Sequence, residues 1–140
     1  MNQPFSLSVK SQVENLAEIA DFVEQAASAS GLNEKQIYDV QMAVDEACTN
    51  VIEHAYHGWR EGTIDLTCEQ RGKEFVVVIQ DWGDPFDPSK VAKPRTHESL
   101  ARRHVGGLGL FFMRKLMDRV EFDFSSGQGN RLTMVKKIKR

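Results

Sequence analysis

The sequence predicts an α+β fold, a two-layer sandwich whose mostly antiparallel, mixed sheet carries its helices on one face. Three observations predict it. Strand-like and helix-like segments follow in the order β-α-α-β-β-loop-α-β-β, so most strands meet their neighbours through short turns. The helical segments show an apolar period near 3.6 residues, as helices do when one side is packed. The chain has 140 residues, a length that suits one domain with a self-sufficient core. A single domain over residues 1–140 is expected, with no internal repeat and no linker.

The elements can be justified in order. Phe5 to Lys10 alternates in the manner of a strand. Val13, Leu16, Ile19, Ala20, Val23 and Ala27 recur at helical spacing, and Gly31 stops that helix. Asn33 is placed to cap the next helix, with Gln36 at the reciprocal capping position. Ile37, Val40, Val44, Ala47, Val51 and Ala55 carry the second helix to a stop near Gly58. Thr63 to Glu69 alternates, Phe75 to Ile79 is continuously apolar, and Arg71-Gly72-Lys73 joins them as a hairpin turn. After Asp81 the texture changes to Gly, Pro and charge. A segment of that kind and length inside a compact domain is usually a lid or is disordered. A Gly-rich stretch, Gly106-Gly107-Leu108-Gly109, then opens a third helix through Leu110, Phe111, Met113, Leu116 and Met117. Val120 to Phe124 and Leu132 to Ile138 form the last two strands.

Composition excludes several classes of function. With 41% hydrophobic and 27% charged residues the chain is neither disordered nor fibrous. A net charge of −2 argues against a dedicated nucleic-acid binder. The basic run Lys136, Lys137, Lys139, Arg140 reads as a solvated strand end. A mean hydropathy of −0.42 and the lack of a long apolar run exclude a membrane-spanning helix. No signal peptide is evident at the start, so the expected compartment is the cytoplasm, with no membrane role. Cys48 and Cys68 have no metal-ligand or redox-motif spacing and are expected as free thiols. The apolar stripe near Leu7, Val13 and Leu16 serves either the core or a dimer face, and a homodimer is expected.

Three polar motifs do not fit a merely structural reading. Glu46, Asn50 and His54 stand at i, i+4 and i+8, a helical stripe roughly 80° wide directed away from the apolar face. A hard cation such as Mg²⁺ takes oxygen ligands, so an amide oxygen at Asn50 can supply one while substrate phosphates supply others. Glu46, one turn earlier, can accept a proton from an attacking hydroxyl. Asp81-Trp82-Gly83-Asp84-Pro85 directly follows an apolar strand, where a carboxylate can meet the amino group of a flat ligand lying over Gly83. Gly106-Gly107-Leu108-Gly109 precedes a helix, whose free N–H groups attract anions.

In this order the three motifs resemble the N, G1 and G2 boxes of the superfamily containing gyrase, heat-shock chaperones, sensor histidine kinases and mismatch-repair ATPases. These bind ATP in the Bergerat fold. Within it, AVDEACTNVIEHAY (43–56), QDWGDPFDP (80–88), GGLGLFFMRKLMD (106–118) and GNRLTMVKK (129–137) resemble the anti-sigma factor serine/threonine kinases over essentially the whole chain.

The resemblance implies roles residue by residue. Asn50 holds Mg²⁺ against the phosphates of ATP, and Glu46 is the general base. Asp81 accepts from the adenine amino group, Gly83 makes room for the ring, and Thr133 supports adenine through a water. Gly107, Leu108, Gly109 and Leu110 at the helix start bind phosphates, and the stretch from Asp84 to Val105 is the ATP lid. The nucleophile is a Ser or Thr of an anti-anti-sigma factor, whose phosphorylation frees the kinase to hold a sigma factor, or an analogous regulator, inactive. Leu108 departs from the relatives' pattern, in which a basic residue often stands between these glycines. Arg102 and Arg103 lie a few residues upstream. The alternative reading is a non-catalytic module that binds ATP or ADP and sequesters a partner. A free-standing histidine-kinase catalytic domain and a DNA-topology or chaperone ATPase are further readings, and each needs domains for which this length leaves no room.

Overall fold

The structure, a computed structural model, describes residues 3–58, 61–85, 107–124 and 129–139. Five strands form the sheet: β1 (Phe5–Lys10), β2 (Thr63–Arg71), β3 (Glu74–Asp81), β4 (Arg119–Asp123) and β5 (Asn130–Lys137). Between them lie α1 (Leu16–Ala29), α2 (Glu34–Asn50) and α3 (Gly107–Leu116). The sheet order is β1-β2-β3-β5-β4, and all four pairings are antiparallel. β3 therefore sits at the centre, and β5 inserts between it and the edge strand β4.

Period-two alternation decides the two faces of the sheet. Ile64, Leu66 and Cys68 of β2, Phe75, Val77 and Ile79 of β3, and Leu132 and Met134 of β5 share one buried cluster with the helices. Val23, Ala26 and Ala27 of α1, Val40, Val44 and Ala47 of α2, and Met113 of α3 complete it. Leu7 and Leu16 pack against this core, whereas Val13 is exposed. No helix among the described residues is long and apolar enough to cross a membrane. Both thiols are free and buried, and burial pushes Cys68 up to about 12 and Cys48 higher still.

The start of α2 follows the local code. Asn33 accepts from the Gln36 N–H at 2.8 Å and Gln36 Oε1 accepts from the Asn33 N–H at 3.0 Å, a reciprocal capping box. Gln36 is itself buried, and its Nε2 donates to the Lys137 carbonyl at 2.9 Å, which fixes the start of α2 to the end of β5. The first helix begins later than its apolar period implies. Val13–Asn15 form a 3₁₀ turn, and the Gln12 side chain before it makes no capping hydrogen bond.

Lys136 is not a solvated strand end. Its Nζ donates to Asp39 Oδ2 at 3.1 Å and to the Leu116 carbonyl at 2.5 Å, so one ammonium joins β5, α2 and the end of α3. A cation suits the last carbonyls of a helix. Lys35, one turn before Asp39, donates to its other oxygen at 3.0 Å. Burial alone would raise the Asp39 pKa, but the bonds from Lys35 and Lys136 outweigh it and hold the carboxyl below its usual value.

Removing Lys136 leaves a buried carboxylate with one exposed partner. Lys136→Met is expected to destabilise the fold by about 3 kcal/mol, read by denaturant unfolding. Because the folded-state pKa of Asp39 is depressed, its contribution is complete above the ordinary aspartate range and is lost as pH falls through the lowered value. Asp39→Asn should remove that part of the acid sensitivity in unfolding measured below about pH 4.

Candidate functional site

The site grows from the far end of α2. Up to Asn50 the helix is regular, which sets Glu46 and Asn50 one turn apart on the same side. Val51–Ala55 then form a π turn, where the sequence predicts continued α-helix. The Tyr56 N–H reaches back to the Val51 carbonyl at 3.0 Å, and the Gly58 N–H reaches the Ile52 carbonyl at 2.8 Å. The wider turn changes the angular position of His54, which lies half exposed on the wall of the cleft. The chain then leaves the helix through His57, whose φ is 58°.

The π turn presents the Ala55 carbonyl to the end of β3. It accepts the Asp84 N–H at 2.9 Å. A Cβ built on Gly83 would lie 2.4 Å from this same oxygen, so only glycine lets the two backbones meet. His57 Nε2 and Asp84 Oδ2 pair at 2.5 Å beside this contact. Tyr56 adds a bolt that sequence reasoning missed. Its buried hydroxyl donates to the Thr63 carbonyl at 3.0 Å and accepts from the Trp82 N–H at 2.8 Å.

Asp81 is buried at the end of β3. Its Oδ1 accepts from the Gly83 N–H at 2.9 Å and from Asn130 Nδ2 at 2.8 Å. Among the described residues no donor reaches Oδ2. Burial raises the Asp81 pKa, and the bonds from Asn130 and Gly83 partly offset that rise.

The structure does not bring Thr133 to this group. Asp81 pairs across the ladder with Asn130, whereas Thr133 pairs with Val78, three residues from Asp81. An odd separation places Thr133 on the sheet face away from the helices, while Asn130 shares the face of Asp81. Asn130 is thus the residue of the last strand that stands at the candidate site. Gly129 lets it approach: with φ of 84°, a Cβ there would lie 2.5 Å from the Asp81 carbonyl oxygen. The motif GNRLTMVKK held this signal in Gly129-Asn130, but only the strand register reveals it.

A cleft runs from Asp81 to Asn50, walled by Ile79, Met113, Phe122 and Leu132. Its apolar walls and one polar end suit a flat ring. At the other end α3 begins. A Cβ built on Gly109 would lie 2.6 Å from Glu46 Oε2 and 3.7 Å from Asn50 Nδ2, so the helix start abuts both side chains. Gly107, Leu108 and Leu110 belong to the same helix, with Leu110 buried. Gly106, Arg102, Arg103 and most of the expected lid, 86–105, lie outside the described residues. Burial raises the Glu46 pKa, and the charges of Asp45 and Glu53 raise it further.

Asn50 Oδ1 is buried and has no hydrogen-bond donor among the described residues. An unsatisfied buried acceptor costs about 1–3 kcal/mol, so this oxygen is set for a donor or cation that arrives with a ligand. It fits Mg²⁺. No group of three or more His, Cys, Asp or Glu among the described residues gathers to cage a metal. A cation here would therefore take its other ligands from phosphate and water.

The family described as histidine kinase-like ATPase domain matches residues 9–136. The chain is 32% identical over 132 residues to the anti-sigma F factor of Clostridium novyi, covering 93% of this chain and 90% of that protein. It is 34% identical over 105 residues to the serine-protein kinase RsbW of Bacillus licheniformis, covering 72% of this chain and 66% of the relative. The chain belongs to the histidine kinase-like ATPase family, among its anti-sigma factor serine kinases. The solved RsbU and RsbW domains of Rv1364c from Mycobacterium tuberculosis share the fold, with a TM-score of 0.71 at 15% identity. That match spans 99% of this chain and 33% of the longer one. Family membership makes the domain one that binds ATP or ADP.

Two substitutions test the scaffold of the site. Gly83→Ala drives a methyl into the Ala55 carbonyl and should abolish nucleotide binding measured by calorimetry. Tyr56→Phe leaves the Thr63 carbonyl and the Trp82 N–H without this partner. It should lower unfolding stability by about 1–3 kcal/mol and weaken nucleotide binding as the Asp81–Gly83 turn loosens.

Proposed function

We propose that this chain is an ATP-dependent protein serine/threonine kinase that acts as an anti-sigma regulator. It phosphorylates an anti-anti-sigma partner and, when that partner is withdrawn, sequesters a sigma factor or an analogous regulator. The observation that carries the reading is the grouping, at one end of the cleft, of Glu46, the backbone of Gly109 and Asn50 Oδ1, which has no donor among the described residues. The relatives named anti-sigma F factor and serine-protein kinase support it. A cytoplasmic setting and a homodimer belong to the same reading, with exposed Phe5 and Val13 near the β1 edge available for contact.

The chemistry follows from the residues. Asp81 Oδ2 accepts from the exocyclic amine of adenine, and Gly83 leaves space for the ring. Gly107, Leu108, Gly109 and Leu110, at the start of α3, offer backbone N–H groups and a helix dipole to the phosphates. Asn50 Oδ1 would hold Mg²⁺, which neutralises phosphate charge when bound. Glu46 takes the proton of the partner's hydroxyl as the new oxygen–phosphorus bond forms and the bond to the β-phosphate oxygen breaks. A raised proton affinity makes Glu46 a better base than an ordinary glutamate, provided it is ionised.

The test is transfer of labelled γ-phosphate, with Mg²⁺, to a candidate anti-anti-sigma protein. An acid-stable phosphoserine or phosphothreonine is expected on the partner. Glu46→Gln should cut the transfer rate by roughly 10²–10⁴ while nucleotide affinity stays near wild type. Asn50→Ala should remove the Mg²⁺ dependence of ATP binding. Because the Glu46 pKa is raised, the rate should fall with decreasing pH through a midpoint above about 4.3, the ordinary glutamate value. Absence of transfer with every candidate partner, with Glu46→Gln equal to wild type, overturns the kinase reading.

A further inference from the structure

The proposed nucleotide site depends on the state of one carboxylate, and the neighbouring strand β5 contacts that carboxylate directly. Asn130 Nδ2 lies 2.8 Å from Asp81 Oδ1, 3.0 Å from the Gly83 carbonyl and 3.5 Å from the Asp84 carbonyl. All three are acceptors, so the amide orientation is settled: the reverse flip would set Oδ1 against three oxygens. The Gly83 N–H takes the same carboxylate oxygen at 2.9 Å. Both donors thus fall on Oδ1. The carboxylate is held in one rotamer with Oδ2 left as an acceptor, and the turn that carries Gly83 is gripped by the same amide.

We propose that Asn130 is a positioning residue that sets the base specificity of this site, by locking Asp81 as an acceptor for an exocyclic amine. This rests on the reading of the cleft as an adenine site. An acceptor-only group on the purine edge welcomes the 6-amino group of adenine and repels the 6-oxo group of guanine. A carboxylate free to rotate can instead accept from the N1–H and 2-amino group of guanine, and one that protonates can present an O–H to its 6-oxo group. Asn130 opposes both. Its bond to Oδ1 holds the rotamer while its bond to the Gly83 carbonyl holds the turn, and the donation to Oδ1 favours the ionised form against the burial that opposes it. The register makes this possible, because Asn130 is the cross-strand partner of Asp81 and Gly129 admits it to contact distance.

The experiment compares wild type, Asn130→Ala, Asn130→Thr and Asn130→Asp by calorimetric binding of ATP and GTP. It also follows the Asp81 carboxyl titration by carbon NMR and the thermal unfolding of each nucleotide-free protein. Asn130→Ala should bind ATP about tenfold more weakly, with GTP affinity unchanged or improved, so the ATP-over-GTP preference collapses. Its Asp81 titration should move to higher pH than in wild type. Asn130→Thr, which keeps one donor, should restore part of both. Asn130→Asp sets a second carboxylate against Asp81 and should lose ATP binding most. An Asn130→Ala variant that melts lower but keeps the wild-type ATP-over-GTP ratio and Asp81 titration overturns the proposal, leaving Asn130 a strand-end contact. Wild-type protein that binds neither nucleotide instead overturns the adenine reading on which it rests.

Discussion

The carbonyl oxygen of Ala55 is the contact on which the site depends. At the end of α2 a helical carbonyl has no partner in its own helix. Here it takes the Asp84 N–H, and the approach is so close that Gly83 cannot carry a side chain. One hydrogen bond thereby joins the helix that bears Glu46 and Asn50 to the strand end that bears Asp81. Were the two elements further apart, the two ends of the cleft would be set independently. Tyr56 and His57, the next two residues, brace the same junction from either side.

The same economy explains the π turn. A regular helix through Ala55 would aim its carbonyls along the axis into the following turn. The wider turn after Asn50 redirects them, so that Val51 and Ile52 satisfy the exit of the chain while Ala55 faces β3. Helix widening of this kind recurs at functional sites because it re-aims backbone groups without breaking the helix. At the opposite end of α2, Lys136 binds Asp39 and the last turn of α3. The helix is therefore held at both ends, and the start of α3 is pressed against Glu46 and Asn50.

Much of this was legible in the sequence where the controlling physics is local. The capping box of Asn33 and Gln36, the alternation of β2, and the one-turn spacing of Glu46 and Asn50 all depend on residues a few positions apart. The Asp81 end of the cleft was less legible. Thr133 has the right chemistry on the right strand, yet an odd offset from the partner of Asp81 puts it on the other face. Lys136 looked like part of a solvated basic tail, but its partner Asp39 is 97 positions away in sequence. The π turn escaped for the same reason, since the Asp84 N–H that its Ala55 carbonyl accepts comes from the bend after β3.

The sequence by itself determined the element order, the antiparallel character of the sheet, and the residue types that can bind phosphate, metal and an amine-bearing ring. Each of these follows from periodicity, capping and side-chain chemistry within short windows. Tertiary structure alone decided which residues meet. It set Asn130 rather than Thr133 beside Asp81, made glycine obligatory at Gly83, and left Asn50 Oδ1 buried without a donor among the described residues. These are properties of register and of backbone approach between distant segments, and no short stretch of chain encodes them.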